Sequence, residues 1–336
     1  MQVGSRSASF PAPSTTSLSL GNQADQALLG LGAWLRDGGY RFTAVTPGTH
    51  STVNARPESG IARSLGDIFG WSRPFPHALI PHSAIELLEQ GQALSHEGKL
   101  LRSNVRFSTL GEMLFMHSAF PTNDRDAVFF GPDTYRFAGF IERALGRLRF
   151  ETGATTVVDV GCGTGAGGMF ASTRLPHGCE LVLADINARA LHYAWVNTRL
   201  SGNTSVTFRQ GDLFQAIHGS AALITANPPY LVDAEARVYR NGGGALGSEL
   251  SLRIVREGLP RLRPGGAMVL YTGAPIVAGV DALHAQLIRE ADAAHCAISY
   301  EELDPDVFGE ELQRPPYTVV DRIAAVGAVI RKSSQP

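Results

Sequence analysis

Cysteine is scarce in this sequence and shows no pairing pattern. The 336 residues contain Cys162, Cys179 and Cys296, which are far apart and in no CxxC spacing. This pattern predicts neither a disulfide framework nor a zinc site, and it fits a reducing compartment. The ten histidines also lack ligand spacing, because no acid or cysteine completes a set around His77 and His82. We therefore predict no bound metal.

An excess of charge of one sign is also missing. The chain has 29 Lys and Arg against 31 Asp and Glu, a formal net charge of −2. A protein that holds nucleic acid by phosphate neutralisation alone usually carries a strong basic field. The balance weakens a nucleic-acid substrate without excluding one, because a local basic patch is enough.

The N-terminal segment has no continuous apolar run. Its first twenty residues are rich in Ser, Thr, Pro and Ala, which predicts neither a signal peptide nor a membrane span. We interpret residues 1–22 as a flexible tail and expect the cytoplasm. Apolar residues make up 44% of the chain, enough for a core, and the length fits one large or two modest domains. We place an accessory or substrate-recognition domain at 23–125 and a second domain at 126–336.

Short β-branched runs alternate with helical stretches from Thr155 onward, which is typical of a doubly wound parallel α/β sheet. Apolar residues recurring at three and four predict helices over Ala188–Leu200 and Leu250–Leu262. The last two predicted strands have no clear helix between them and are expected to close the sheet as an antiparallel hairpin. The predicted strands are Thr156–Val160, Leu181–Ala184, Val206–Phe208, Leu223–Ala226, Met268–Tyr271, Ala297–Glu301 and Ile323–Ile330.

The pattern before residue 150 is less regular. Helices are predicted over Gln26–Arg36, which ends at a glycine pair, and over Ser83–Gly91. Two extended runs follow, Leu100–Phe107 and Glu112–His117, separated by a turn. Helices followed by a small hairpin suggest a winged-helix-like domain, and a compact helical cap is an equally good interpretation.

The most informative segment is a glycine-rich loop that follows an apolar strand. Val157–Val160 runs into the sequence Gly-Cys-Gly-Thr-Gly at 161–165, and a helix is expected next. Glycines allow a sharp turn and a closer ligand approach than any Cβ permits. A dinucleotide-binding loop is the rival interpretation. Asp159 favours S-adenosylmethionine (SAM), because a carboxylate suits the ammonium of its methionine end and repels a pyrophosphate.

Two further aspartates follow the next two strands. Asp185 lies about twenty residues past the loop, where such folds place the acid that binds ribose hydroxyls. Asp212 follows the third strand and is predicted to accept from the adenine amino group. A single aspartate there is often a helix N-cap, but three in register on the ligand-binding edge indicate a SAM site. The predicted cofactor-binding residues are Asp159, Gly161, Cys162, Gly163, Thr164, Gly165, Asp185, Ile186, Asp212, Leu213 and Asn227.

The fourth strand ends in Asn227-Pro228-Pro229-Tyr230 on the same edge. Alone, a proline pair indicates a turn, because proline lacks a ladder donor. Here the residue types suit methylation of nitrogen: the Asn227 side-chain oxygen and the Pro228 carbonyl can each accept one N–H of an NH₂ group. Tyr230 can stack on the planar group. Such positioning contributes roughly 7–11 kcal/mol when the geometry is near attack, so these four are the candidate catalytic residues.

The motifs DVGCGTG, LADIN, GDLF and NPPY stand in the order of a known family. Residues 128–275 resemble the small-domain SAM-dependent methyltransferases typified by the release-factor glutamine methyltransferases, the HemK/PrmC-like group. The resemblance implies a Rossmann-like, seven-stranded class I sheet, with SAM converted to S-adenosylhomocysteine. Asn241 stands where the family has an acid. The resemblance also implies substrate contacts at Phe130, Pro132, Thr134, Tyr135 and Tyr239.

The N-terminal half departs from that family, since it does not resemble the helical bundle with which the release-factor enzymes bind substrate. The leading hypothesis is therefore a SAM-dependent N-methyltransferase of a protein glutamine or a small molecule. Alternatives are a nucleic-acid adenine amine as acceptor, another alkyl transfer from SAM, and a non-catalytic SAM-binding module that recognises nucleic acid. The acidic stretch 304–311 is interpreted as a solvated loop, although it could line a pocket for an amine-bearing substrate. No oligomeric state follows from the sequence.

Overall fold

Helices and two small hairpins precede a large mixed sheet. The computed structural model describes residues 18–150, 155–175, 179–233, 235 and 237–334. The helices are α1 (Gln23–Asp37), α2 (Pro47–Asn54), α3 (Leu65–Phe69), α4 (His82–Gln90), α5 (Pro132–Arg147), α6 (Ala166–Ser172), α7 (Ala188–Leu200), α8 (Glu249–Gly258) and α9 (Ala282–Ala293). The strands are β1 (Leu94–Glu97), β2 (Leu100–Ser103), β3 (Val105–Leu110), β4 (Met113–Ser118), β5 (Thr156–Val160), β6 (Glu180–Asp185), β7 (Val206–Gln210), β8 (Ala221–Ala226), β9 (Leu262–Val277), β10 (Val280–Asp281), β11 (Cys296–Asp304) and β12 (Arg322–Lys332).

The large sheet has the strand order β11-β12-β9-β8-β5-β6-β7, and β10 pairs with the end of β9. Strands β5 to β9 are mutually parallel, whereas β12 runs antiparallel to β9 and β11 antiparallel to β12. The predicted Rossmann-like class I sheet and its closing antiparallel hairpin are confirmed. Strands β6 and β7 follow on one side of β5, whereas β8 lies on its other side, so the strand order reverses between β5 and β8. Open α/β sheets bind their ligands at such a switch point.

Helices cover both faces of this sheet, which accounts for the nearly continuous apolar character of its central strands. On one face, α5, α6 and α7 contribute Phe137, Phe140, Ile141, Met169 and Leu191 to a buried cluster. On the other, α8 and α9 pack against the strands in a second cluster. Strand β8 is buried along its whole length, because it has sheet neighbours on both sides and helices on both faces.

The N-terminal helices pack on one another and on helix α7. Their apolar cluster takes in Trp195, Val196 and Leu200 from α7. Asp25 and His192 lie 2.8 Å apart across the α1–α7 contact, and the Arg36 guanidinium donates to the Leu200 carbonyl. The N-terminal region is therefore attached through the helix that follows β6.

The hairpins differ from the prediction in the number of strands and in which strands pair. The predicted run Leu100–Phe107 is divided at Asn104, whose N–H donates to the Ala93 carbonyl and directs the chain out of the first hairpin. As a result β2 pairs with β1, a strand that was not predicted, and β3 pairs with β4. The N-terminal region contains four helices and two hairpins among the described residues. This content does not distinguish a winged-helix-like domain from a helical cap, and both stay predictions.

The start of the chain is only partly covered by the structure. Residues 1–17 of the predicted tail lie outside the described residues, whereas Leu18 and Leu20 pack against the apolar clusters. In the part of the chain that the structure describes, no helix combines the length and the apolar character needed to cross a membrane.

Candidate functional site

A cavity opens at the edge where the parallel strands β5, β6 and β8 end, the ligand-binding edge of open α/β sheets. Ten of the eleven predicted cofactor-binding residues line it; Gly165 does not. Gly165 is the N-cap of α6, with φ +80°, and an added Cβ would lie 3.1 Å from the Leu183 side chain. The structure thus places Gly165 behind the loop, where glycine is needed for the backbone turn and for close packing.

The glycine loop presents bare backbone to this cavity. Gly161 and Gly163 have φ values of +65° and +54°, and an added Cβ at either would meet nothing within 4 Å. The space above them is therefore open to a ligand. Behind the loop, Gly168 packs against β5, because its added Cβ would lie 2.7 Å from the Asp159 Cβ. Glycine serves two purposes here, left-handed backbone at the cavity and close helix–strand packing beneath it.

Asp159 is a buried carboxylate without a cationic partner among the described residues. It is 2% exposed and accepts from the Thr225 hydroxyl and the Gly168 N–H, both at 2.8 Å. Burial raises its pKa to about 7; the two hydrogen bonds oppose this effect and the nearby Asp185 adds to it. A cationic group of a ligand in the cavity would supply the missing partner. The site therefore fits the ammonium group expected from the sequence.

Asp185 organises the loop from the next strand. Its carboxylate accepts from the Gly163 N–H and from the Asn187 N–H, each at 2.8 Å. Burial raises its pKa, and these backbone hydrogen bonds oppose the shift. Asp185 therefore holds the loop conformation in addition to facing the cavity.

Asp212 is tied by a cation that the sequence reasoning missed. Its carboxylate accepts from the Arg253 guanidinium at 3.0 Å, and that guanidinium also binds Glu257. Both Asp212 and Arg253 line the cavity.

Among the described residues, no group of three or more His, Cys, Asp or Glu side chains is arranged to hold a metal ion.

All four candidate catalytic residues line the same cavity. The Asn227 side chain makes no hydrogen bond with the described residues, so its amide is available to a ligand. The Tyr230 ring is 5% exposed and lies against Gly273, where an added Cβ would be 2.1 Å from the ring. The edge of Phe308 packs on it at a centroid distance of 5.8 Å. The motif thus combines a free amide with a firmly packed aromatic ring.

The segment after the motif contains glycines where it passes close to the motif backbone. An added Cβ at Gly247 would lie 2.2 Å from the Tyr230 carbonyl oxygen, and one at Gly242 would lie 2.6 Å from the Pro229 carbonyl oxygen. These glycines let a loop pass directly against the motif backbone. Asn241, which stands where the family has an acid, lines the cavity. Its side-chain oxygen makes only a long hydrogen bond, accepting from the Gly243 N–H at 3.4 Å.

The implied substrate residues divide into two groups. Thr134 and Tyr239 line the cavity, whereas Phe130, Pro132 and Tyr135 do not. Phe130 is 1% exposed and stacks on Phe115 in the core. Pro132 and Tyr135 lie in the first turn of α5, whose period turns neighbouring side chains toward the cavity, and the substrate contacts at these three positions stay a prediction. In this part of the chain Asp133 and Phe137 of α5 line the cavity, together with Phe129 from the segment before the helix.

Other lining residues carried no signal that the sequence reasoning used. Phe129 stacks on Tyr239 at 5.7 Å with an interplanar angle of 12°. Phe308 comes from the acidic stretch, so that stretch contributes to the lining of the cavity. Arg237 pairs with Asp233 at 2.5 Å. The aromatic spacing alone does not distinguish such residues from core residues, because they approach the site only after folding.

Arg240 completes the charged lining. It pairs with Glu311 at 2.5 Å, and Glu311 is 7% exposed. This member of the acidic stretch neutralises a cation at the cavity. The arginines Arg237, Arg240 and Arg253 that line the cavity are therefore each matched by at least one carboxylate.

The cavity, its carboxylates and the NPPY segment all lie in or beside one recognised sequence region. Residues 145–277 match the family model described as Methyltransferase small domain. This region is therefore similar to the methyltransferase small domain. The resemblance to SAM-dependent methyltransferases that the sequence analysis drew is confirmed for this region, and the comparisons support SAM as its cofactor.

Curated relatives of the methyltransferase domain carry one name. The release factor glutamine methyltransferase of Chlamydia trachomatis is 34% identical over 145 residues, 40% of this chain and 49% of the relative. That of Deinococcus radiodurans is 33% identical over 159 residues, 44% of this chain and 55% of the relative. The chain thus spans about half the length of these relatives. Among solved structures, Trm5b from Pyrococcus abyssi covers 76% of this chain and 68% of its own, with a TM-score of 0.47 and 16% identity.

Proposed function

We propose that this chain is a SAM-dependent N-methyltransferase that acts on a planar amide nitrogen, with a protein glutamine as the leading acceptor. A small molecule that carries the same group is the alternative. The observation that carries the proposal is the Asn227 side chain, which lines the cavity beside the glycine loop and has no hydrogen-bond partner among the described residues. The names of the relatives support glutamine.

The cofactor would be held by the residues at the strand ends. Asp159 would bind its ammonium, Asp185 its ribose hydroxyls and Asp212 its adenine amino group, while the bare loop at Gly161 and Gly163 makes room for it. SAM supplies an electrophilic methyl group: the acceptor nitrogen forms the new N–C bond as the S–C bond breaks, with its electron pair passing to sulfur.

The acceptor would be held by the motif. The Asn227 side-chain oxygen and the Pro228 carbonyl each accept one N–H of the NH₂ group, which orients the nitrogen lone pair. Hydrogen bonds of this kind strengthen as positive charge develops on nitrogen. Tyr230 packs beside the planar group, and the proton released from nitrogen leaves to water. Because the contribution is positioning, the chemistry needs no strong base.

The charge distribution favours an amide over a nucleic-acid acceptor. Phosphate binding requires cations that are free to replace counterions. The cavity arginines are already paired with carboxylates, Arg237 with Asp233 and Arg240 with Glu311.

The test begins with isothermal titration of S-adenosylhomocysteine into the wild type, Asp185→Ala and Asn227→Ala. We expect micromolar binding by the wild type and a loss of at least roughly tenfold in Asp185→Ala, because two charge-assisted backbone hydrogen bonds disappear. Asn227→Ala should bind within about threefold of the wild type, because its amide is assigned to the acceptor. No binding by the folded wild type would overturn the cofactor assignment.

The second arm measures transfer of labelled methyl from SAM into recombinant release factor, a glutamine-containing protein, an RNA pool and a metabolite pool. We expect label in an amide nitrogen and a loss of at least roughly 100-fold in Asn227→Ala. Label in adenine would replace the amide with a nucleic-acid amine. SAM binding without any transfer, together with salt-sensitive binding of nucleic acid, would favour the non-catalytic module.

A further inference from the structure

Asp133 accepts hydrogen bonds from two tyrosines of different elements. Its Oδ2 accepts from the Tyr230 hydroxyl at 2.6 Å, and its Oδ1 accepts from the Tyr271 hydroxyl at 2.9 Å. Tyr230 belongs to the candidate catalytic motif, and Tyr271 lies in the middle of β9. The carboxylate therefore links the first turn of α5 to the motif and to the sheet.

We infer that Asp133 is a positioning residue, which fixes the Tyr230 ring against the acceptor. The inference rests on the proposed function and deepens it. Asp133 itself lines the cavity, but its two oxygens are engaged by the phenols. It therefore acts on the acceptor through Tyr230.

Asp133 lies at a helix N-terminus and beside an arginine. It is the second residue of α5, whose unpaired N–H groups and dipole stabilise a negative charge. Arg136, one turn further on, lies 3.2 Å from its Oδ1 and also binds Asp304 at 2.9 Å. Asp304 comes from β11, so the network ties α5 to the C-terminal hairpin as well.

The phenol of Tyr230 is a reliable donor in this network. Burial and the adjacent Asp133 raise its pKa well above the usual tyrosine range. The hydroxyl stays protonated, so a hydrogen bond from a neutral O–H to a carboxylate persists over the working pH range. Bonds of this type are short and roughly twice as strong as neutral ones.

The other contacts of the Tyr230 ring do not fix the direction of its hydroxyl, and the bond to Asp133 does. Gly273 supports one side of the ring, and the edge of Phe308 packs on it at an interplanar angle of 69°. These contacts are apolar and set where the ring can lie, but they do not determine where its hydroxyl points. The bond to Asp133 anchors that end and so fixes the orientation of the ring.

A carboxylate is needed because it accepts from both phenols at once. In Asp133→Asn one side of the group becomes an NH₂ donor, so one phenol loses its acceptor. Tyr271→Phe is the matched control, since it removes a bond to the same carboxylate from a ring that does not line the cavity. Tyr230→Phe removes the other half of the proposed pair and keeps the ring.

The first readout does not require an acceptor. In protein labelled at tyrosine ¹³Cζ, the Tyr230 signal is assigned by its loss in Tyr230→Phe. We expect Asp133→Asn to move this signal toward that of a phenol without a carboxylate acceptor, and Tyr271→Phe to leave it near its wild-type position. A Tyr230 signal that does not move in Asp133→Asn overturns the inference.

The second readout is kinetic and uses the acceptor that takes the label in the transfer experiment, beginning with release factor. Asp133→Asn should lower kcat roughly 10- to 100-fold through displacement of the motif, while the Kd for S-adenosylhomocysteine stays within about twofold. Tyr230→Phe should cause a similar loss, and the double variant should be no worse than either single one. Tyr271→Phe should lose clearly less.

The outcomes separate this inference from the proposed function. If the wild type binds S-adenosylhomocysteine but transfers no label, the proposed function fails, and the tyrosine signals still decide whether Asp133 holds Tyr230. If transfer occurs and kcat is unchanged in Asp133→Asn, the inference fails and the proposed function stands. Additive losses in the double variant also contradict it, because a positioning pair acts as one unit.

Discussion

The side-chain amide of Asn197 donates to the backbone carbonyl of Thr164, at 3.0 Å, and so connects helix α7 to the glycine loop. The same amide group donates to the Met116 carbonyl at 3.1 Å, and its oxygen accepts from the Met116 N–H at 2.7 Å. Asn197 has no exposed surface. One buried side chain therefore joins strand β4 of the N-terminal region to the loop at the cofactor end of the cavity.

The first prediction follows from these contacts of Asn197. Asn197→Ala should weaken binding of S-adenosylhomocysteine, because the loop loses a support, and should lower the free energy of unfolding by roughly 1–3 kcal/mol for each backbone group left unpaired. The measurements are calorimetric Kd and denaturant unfolding. The matched control is Thr198→Val, since the Thr198 hydroxyl bonds only within α7, to the Trp195 carbonyl. Equal losses of affinity in both variants would refute a specific role for Asn197.

The second prediction concerns pH and Asp159. Because burial raises the pKa of this acid to about 7, the folded protein holds its proton at pH values where the unfolded chain has released it. Its contribution to stability is therefore fully present below the unfolded pKa and is lost as pH rises through about 7. The apo protein should lose stability over that window, as measured by denaturant unfolding at a series of pH values.

Ligand affinity should run in the opposite direction. The ionised carboxylate is the form that binds an ammonium, so S-adenosylhomocysteine should bind more tightly as pH rises from 6 to 8, by up to about tenfold in all over this range. Titration in buffers of different ionisation enthalpy should show proton release on binding. Asp159→Asn should flatten the profile. A profile that stays steep in Asp159→Asn would move the effect to Asp185, whose pKa is also raised.

The third prediction tests the support beneath the motif tyrosine. Gly273→Ala would place a methyl group 2.1 Å from the Tyr230 ring, so the ring must move. Methyl transfer should fall by at least about tenfold, with destabilisation of about 1–3 kcal/mol from overpacking. Binding of S-adenosylhomocysteine should change little. Gly139→Ala is the control, because its methyl group would meet only the Arg143 guanidinium, at 3.8 Å; unchanged transfer in Gly273→Ala would contradict the packing argument.

The fourth prediction addresses the adenine end of the cavity. If Asp212 accepts from the adenine amino group, the wild type should prefer S-adenosylhomocysteine to its inosine analogue by roughly tenfold, and Asp212→Asn should lose most of this preference. The measurement is Kd for both ligands. Glu257→Gln serves as the control, since Glu257 also binds Arg253 but does not line the cavity. Equal discrimination by the wild type and Asp212→Asn would remove Asp212 from this role.

Local pattern was sufficient where neighbouring residues in the chain are also neighbours in the fold. Strand Thr156–Val160 and helix Ala188–Leu200 were predicted with the bounds that the structure shows, because their periodicity is uninterrupted. Helix α5 was missed, although Phe137, Phe140 and Ile141 recur at helical spacing. The segment around its start was interpreted only through the family resemblance, and no secondary structure was assigned to it.

The sequence by itself determined the strand-end acids, the glycine loop and the NPPY segment as one group. This was possible because the carboxyl ends of parallel strands meet at one edge of a sheet, so order along the chain becomes proximity in space. Only the tertiary structure decided that Asp133 binds Tyr230, that Phe308 packs on the same ring, and that Asn197 supports the loop. The partners in these contacts lie between 33 and 97 positions apart, and contacts made across such separations leave no local periodicity, because they depend on how whole elements pack.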